Sequence, residues 1–117
     1  MPREILKRAL SIQQPLSELI LTGEKEEEYR SRLTHIRERV YLYAGKKFKK
    51  GVSEFKGSEA EAKALPRGVI VGSVEIVGCH WDDEKDNYAW ELEDPVRYPE
   101  PLVPKGTPQP LFWHPTF

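Results

Sequence analysis

The chain has 117 residues, of which 38% are apolar and 32% charged, with a net charge of −1. That length and mixture fit one folded domain, residues 1–117, whose core needs no staples. They exclude a disulfide framework and a cysteine-based metal cluster, since Cys79 is the only cysteine. A bilayer-spanning helix is excluded too, because the most apolar run, residues 69–79, is too short and contains Ser73 and Glu75.

The opening Met1-Pro2-Arg3-Glu4-Ile5 has no apolar run of the kind a signal peptide needs. With the lone cysteine, this makes the cytoplasm the expected compartment. Residues 13–23, QQPLSELILTG, predict a helix: Pro15 suits its first turn, and Leu16, Leu19 and Ile20 share one face. Gly23 falls where a left-handed C-terminal cap is wanted. The next run, EKEEEYR, has no helical stripe. Read as an extended segment, it sets Glu26, Glu28 and Arg30 on one side and Glu27 and Tyr29 on the other.

Residues 39–44, RVYLYA, are rich in β-branched and aromatic types and predict a strand. The lysine-rich residues 46–57 nearly lack an apolar face and are the expected mobile segment. Ser58 with Glu61 three residues on is a capping-box signature for a short helix over 58–65. Residues 68–78 alternate as a strand, with Ile70, Val74 and Ile76 assigned to one face and Ser73 and Glu75 to the other. Gly72 interrupts the apolar face, as bulges and close backbone approaches do. Residues 88–92 set Tyr88, Trp90 and Leu92 against Ala89 and Glu91, and residues 110–114 offer a last short strand. Of the ten prolines, six lie between Pro95 and Pro110, which argues against helices there. The expected fold class is therefore α+β, a small bent β-sheet or barrel with a few helices packed outside.

Charge is unevenly spread. From Arg30 to Lys50 the chain carries eight basic residues against Glu38 alone, and from Asp82 to Glu100 eight acids against Lys85 and Arg97. Such polarity suits a positive face turned to a polyanion.

Residues 10–32, LSIQQPLSELILTGEKEEEYRSR, resemble the signature of the ASCH domain, the activating signal cointegrator homology domain of the PUA-like barrels. In that family Gln-Pro opens a helix that ends at Gly; after one residue comes Lys, with Glu three and Arg five residues beyond. Gln14-Pro15, Gly23, Lys25, Glu28 and Arg30 hold those positions here, and Ser31 follows. Residues 37–47, 65–79, 88–92 and 104–113 resemble later elements of the family in their expected order. Leu16 departs from the pattern, standing where related domains often have Trp.

The resemblance implies a PUA-like β-barrel with a cleft for nucleic acid or a nucleoside. Lys25 and Arg30 leave net positive charge around Glu28, suited to a phosphate or a base edge. Gln14 and Ser31 are further hydrogen-bonding candidates, and His35, Arg37, Lys46 and Lys47 are candidate nucleic-acid contacts. Tyr43, Tyr88 and Trp90 are candidate stacking platforms, though alternating aromatics also serve as core. The first functional expectation is a nucleic-acid-binding module, with RNA as preferred partner.

The alternative is an enzyme, since the family includes a bacterial ribonuclease and small amidohydrolases of acetylated cytidine. Lys25 and Glu28 would then be the catalytic residues, Glu28 standing where those amidohydrolases have Thr. Glu28 is expected to raise the Lys25 pKa. The adjacent Cys79-His80 is set aside as a nucleophilic pair because neighbours in a strand point to opposite faces. His114 and the acids of residues 82–86 lack metal-ligand spacing, so neither metal nor cofactor is expected, nor a membrane partner.

Overall fold

A computed structural model describes residues 5–117, so the expectation about the opening stretch falls outside the described residues for residues 1–4. Eight elements follow in chain order: β1 (Ala9–Gln14), α1 (Leu16–Leu21), β2 (Glu27–Arg30), β3 (Arg39–Phe48), α2 (Glu59–Ala64), β4 (Val69–Asp82), β5 (Asn87–Leu102) and β6 (Phe112–Trp113). The strands form one sheet of order β2-β5-β4-β3-β1-β6, with β1 and β3 parallel and the other pairs antiparallel. Mostly strands in a curled half-barrel with two short helices, the fold is the small α+β PUA-like barrel expected.

Helix α1 forms where its apolar spacing requires, burying Leu19 and Ile20 against the sheet. It stops at Gly23, whose φ of +82° is costly for any residue with a Cβ. The Lys25 amide then donates back to the Leu19 carbonyl, turning the chain into β2. Helix α2 carries the complete capping box, with the Glu61 amide donating to Ser58 Oγ and the Ser58 amide to Glu61 Oε1.

The larger core cluster joins Leu10, Ile12, Ile20, Val40, Leu42, Val74, Ile76 and Trp90. Trp90 is fully buried, stacks on Phe112 at 5.3 Å and donates from Nε1 to the Arg32 carbonyl. A smaller cluster holds Ala9, Tyr41, Tyr43, Ile70 and Trp113. Because Val40 and Leu42 belong to one cluster and Tyr41 and Tyr43 to the other, β3 is buried on both faces.

Three details differ from the sequence expectation. Ile70 does not share a face with Val74 and Ile76. The β3–β4 register shifts between Leu42 and Tyr43, where one step of β3 faces two steps of β4 from Ile70 to Gly72, and that extra residue breaks the period of two in β4. Ser73, expected outside, is 3% exposed and accepts from Arg39 Nη1 at 2.9 Å. The lysine-rich segment is regular at its start, since β3 runs through Lys46 and Lys47 to Phe48. Gly72 fulfils its expectation: a Cβ there would collide with the Val96 carbonyl oxygen and come within 2.9 Å of Leu21 Cδ2.

Strand β5 passes through Pro95, Pro99 and Pro101, in the stretch where the prolines argued against helices. Beyond residue 92 it pairs with β4 alone, so prolines sit on a free edge that needs no amide donor.

Candidate nucleic-acid interface

Strand β2 sorts the charges of residues 24–30 onto two faces. Glu28 and Arg30 meet on one, with Arg30 Nε 2.8 Å from Glu28 Oε2; on the other, the Tyr29 hydroxyl donates to Glu27 Oε1 at 2.8 Å. Lys25, placed by the turn after α1, reaches the free Glu28 oxygen with Nζ 3.7 Å from Oε1. Glu28 is 5% exposed, so both oxygens of a buried carboxylate are matched by cations.

Arg30 does more than balance Glu28. Its Nη2 donates to the Ser11 carbonyl of β1 at 2.6 Å, and its Nη1 to the Pro110 carbonyl just before β6 at 3.3 Å. Strands β2 and β6 are the two ends of the sheet, so this guanidinium spans the gap where the barrel does not close. The sequence reading assigned that planar fork to a ligand; three of its bonds are made within the chain.

Beside this gap lies a cleft of about 580 Å³. Strand β2 gives it Glu28, Tyr29 and Arg30; β1 gives Ser11, Ile12 and Gln13; the proline-rich segment gives Pro108, Gln109 and Pro110. Strand β3 and its extension give Tyr43, Lys46, Lys47 and Lys49. The parallel β1–β3 register jumps from Ile12 opposite Ala44 to Gln14 opposite Phe48, so Gly45, Lys46 and Lys47 together face Gln13. That irregularity leaves both lysines exposed at the cleft mouth.

A second hollow, of about 930 Å³, lies across Tyr29 from the first. Glu24, Glu26, Glu27, Glu54, Glu91, Glu93 and Asp94 border it against Lys25 and Lys85. Lys25 and Lys85 stand over the Tyr29 ring, 4.8 and 5.3 Å from its centroid. Glu27 is half-buried and accepts the Tyr29 hydroxyl. His80 places Nδ1 2.9 Å from Glu91 Oε2 and Nε2 3.8 Å from Glu27 Oε2.

The Lys25 pKa is lowered, because burial of the ammonium outweighs the attraction of Glu28. Glu28 does pull it upward, as expected, but burial decides the net direction. Tyr29 is pushed up to about 12 by burial and by its bond to Glu27. His80 is raised chiefly by its hydrogen bond to Glu91.

The other sequence candidates divide. Lys46 and Lys47 join Glu28 and Arg30 in the basic cleft. Gln14 is 1% exposed and spends its amide on the fold, donating from Nε2 to the Pro66 carbonyl and accepting the Glu18 amide on Oε1. Ser31, His35 and Arg37 are exposed outside both hollows, and Arg37 donates to the nearby Thr34 and Ile36 carbonyls. Trp90 is core. Tyr88 packs edge-on against Trp81 at 5.1 Å, and Tyr43 edge-on against Trp113 at 5.1 Å. Cys79 packs on the core while His80 faces the two glutamates, so the pair does not converge. His114 Nδ1 lies 2.9 Å from the Lys7 carbonyl. No three His, Cys, Asp or Glu side chains among the described residues cluster as metal ligands, and no described helix is long and apolar enough to cross a membrane.

Sequence reasoning missed Gln13, Gln109 and the role of Lys49. The two glutamines carry no motif; Lys49 stood in the basic run as a signal that was passed over. A family model, that of the ASCH domain, matches residues 10–102. No curated protein matches the chain.

Proposed function

The chain belongs to the ASCH domain family, which is PUA-like and associated with RNA binding, and from that premise we propose that it is a nucleic-acid-binding module whose preferred partner is single-stranded RNA. One observation carries the reading. Arg30, Lys46, Lys47 and Lys49 line a cleft whose single carboxylate, Glu28, is already neutralised by Lys25 and Arg30. The surplus positive charge sits on exposed ammoniums, where phosphates bind without deep desolvation. Lys25, Glu28 and Arg30 are its framework, and the lysines of residues 46–49 are its phosphate contacts. The reading takes residues 1–117 as one domain, the cytoplasm as its compartment, and needs neither metal nor cofactor.

The test is a titration with labelled single-stranded RNA at two salt concentrations. Three phosphate contacts give a salt slope near −2, a loss of roughly 20-fold between about 50 and 200 mM salt. Absence of binding at the lower salt, or affinity indifferent to salt, overturns the proposal.

A second reading has one observation in its favour. Burial lowers the Lys25 pKa, which brings an amine closer to general-base duty. With Glu28 as partner, Lys25 would serve a hydrolase of acetylated cytidine or of RNA. Turnover of either substrate that disappears in both Lys25→Ala and Glu28→Gln would establish that enzyme; a binding-only protein leaves both substrates intact.

A further inference from the structure

Tyr43 is 3% exposed, yet it lines the basic cleft. Its ring is fixed edge-on against Trp113 and cannot stack on a base. Its hydroxyl is another matter. The Tyr41 hydroxyl accepts the Leu6 amide and the Tyr29 hydroxyl donates to Glu27, but the Tyr43 hydroxyl has no partner among the described residues. No buried side-chain oxygen or nitrogen among them is left unsatisfied, so this hydroxyl is not sealed in the core. The cleft is the opening that reaches it.

The other polar groups deep in the cleft are committed. Ser11, paired with Tyr43 across β1 and β3, donates its hydroxyl to the Gln109 carbonyl at 2.6 Å and accepts Trp113 Nε1 at 3.1 Å. Glu28 is held by Lys25 and Arg30. Exposed Lys46, Lys47 and Lys49 stand at the cleft mouth, while Ser11 and Tyr43 line it from one face of the sheet and Ile12 and Leu16 from the other. A phosphate stays with the exposed cations and keeps much of its hydration. A base has apolar faces and polar edges, so its edge suits the one uncommitted hydroxyl on the Ser11–Tyr43 face.

We infer that the Tyr43 hydroxyl reads the base edge of a single-stranded nucleic acid seated in this cleft, an inference that rests on the nucleic-acid reading above. A phenol both donates and accepts, so it discriminates between base edges that a lysine treats alike. Burial raises the Tyr43 pKa, which keeps the donor proton in place at neutral pH. Glu28, with both oxygens matched by cations, holds the wall rather than reading the base.

The experiment compares wild type and Tyr43→Phe against oligo(A), oligo(C) and oligo(U) RNA, with a thermal melt of each protein. Phe keeps the packing on Trp113 and removes one oxygen. The expected result is a wild type that prefers one base, and a variant in which that preference shrinks by roughly 2- to 10-fold. Salt slope and melting temperature stay unchanged. The inference falls if the preference is the same in both proteins, if wild type binds all three RNAs equally, or if the variant melts earlier, which would give the hydroxyl an internal partner. Binding to none of the RNAs at low salt instead removes the nucleic-acid reading itself, and this inference with it.

Discussion

Replacing Arg30 by Ala tests whether the guanidinium is a part of the fold or only a charge in the cleft. Glu28 is 5% exposed, and the change would leave it with Lys25 alone, 3.7 Å away. Stripping one partner from a buried ion pair costs about 3–5 kcal/mol, because the remaining charge stays desolvated. The surviving lysine puts Glu28 at the low end, near 3 kcal/mol. The Ser11 carbonyl loses its 2.6 Å donor as well, while the more exposed Pro110 carbonyl can turn to water. For a chain of this size, about 3 kcal/mol corresponds to a melting shift of roughly 12 °C. The assay is thermal or urea unfolding of three proteins: wild type, Arg30→Ala, and Arg30→Ala with Glu28→Gln. The double variant should recover part of the loss, since it has no buried carboxylate to leave unpaired. A single variant melting within about 3 °C of wild type would refute the reasoning. So would a double variant less stable than the single one.

Other outcomes follow from the same geometry. Gly72→Ala should lose about 3 kcal/mol in urea unfolding, because the obstacle is the Val96 backbone rather than a movable side chain. Lys46→Ala and Lys47→Ala should each reduce the salt slope of RNA binding by about 0.7, whereas Arg37→Ala, outside the cleft, should leave it unchanged. Either lysine variant matching wild type, or Arg37→Ala matching the lysine variants, would move the contact surface elsewhere. His80 has a pKa raised above 6.5 by Glu91, so its contribution to stability is fully present below that value. That contribution is lost as pH rises through the raised pKa. Melting temperature should therefore fall across that window in wild type and stay flatter in His80→Gln; parallel profiles would show that the His80 contacts add nothing.

The sequence carried the local signals because they depend on neighbours along the chain. The apolar face of α1, the Gly23 cap and the Ser58–Glu61 box need only short-range spacing. The two faces of β2 were legible for the same reason, since alternation alone puts Glu28 with Arg30 and Glu27 with Tyr29. Register was not legible. Gly72 marked a bulge or a close approach, but nothing local says that β4 will gain a residue against β3 there and send Ile70 to a different cluster from Val74. The site suffered the same loss. Arg30 was readable as a charge, but its bonds to Ser11 and Pro110 are contacts 19 and 80 residues away along the chain. Gln14 looked like a ligand group for a related reason: its partner Pro66 lies 52 residues on, beyond the reach of any motif.

The unequal charge of the two hollows traces back to β2, an edge strand that separates them. Its alternation turns Glu28 and Arg30 toward the basic cleft and Glu27 toward the acid-bordered hollow, with Tyr29 lining both. A closed barrel would have paired β2 with its opposite end and removed the gap. Here the ends are bridged by one side chain instead of a ladder of backbone bonds, so the gap persists as a cleft with a fixed arginine beside it. A polyanion entering from the lysines of β3 meets carboxylates once it passes Tyr29. The same strand that builds the attractive wall thus also sets the limit of the track, which confines the proposed ligand to the β1–β3 side.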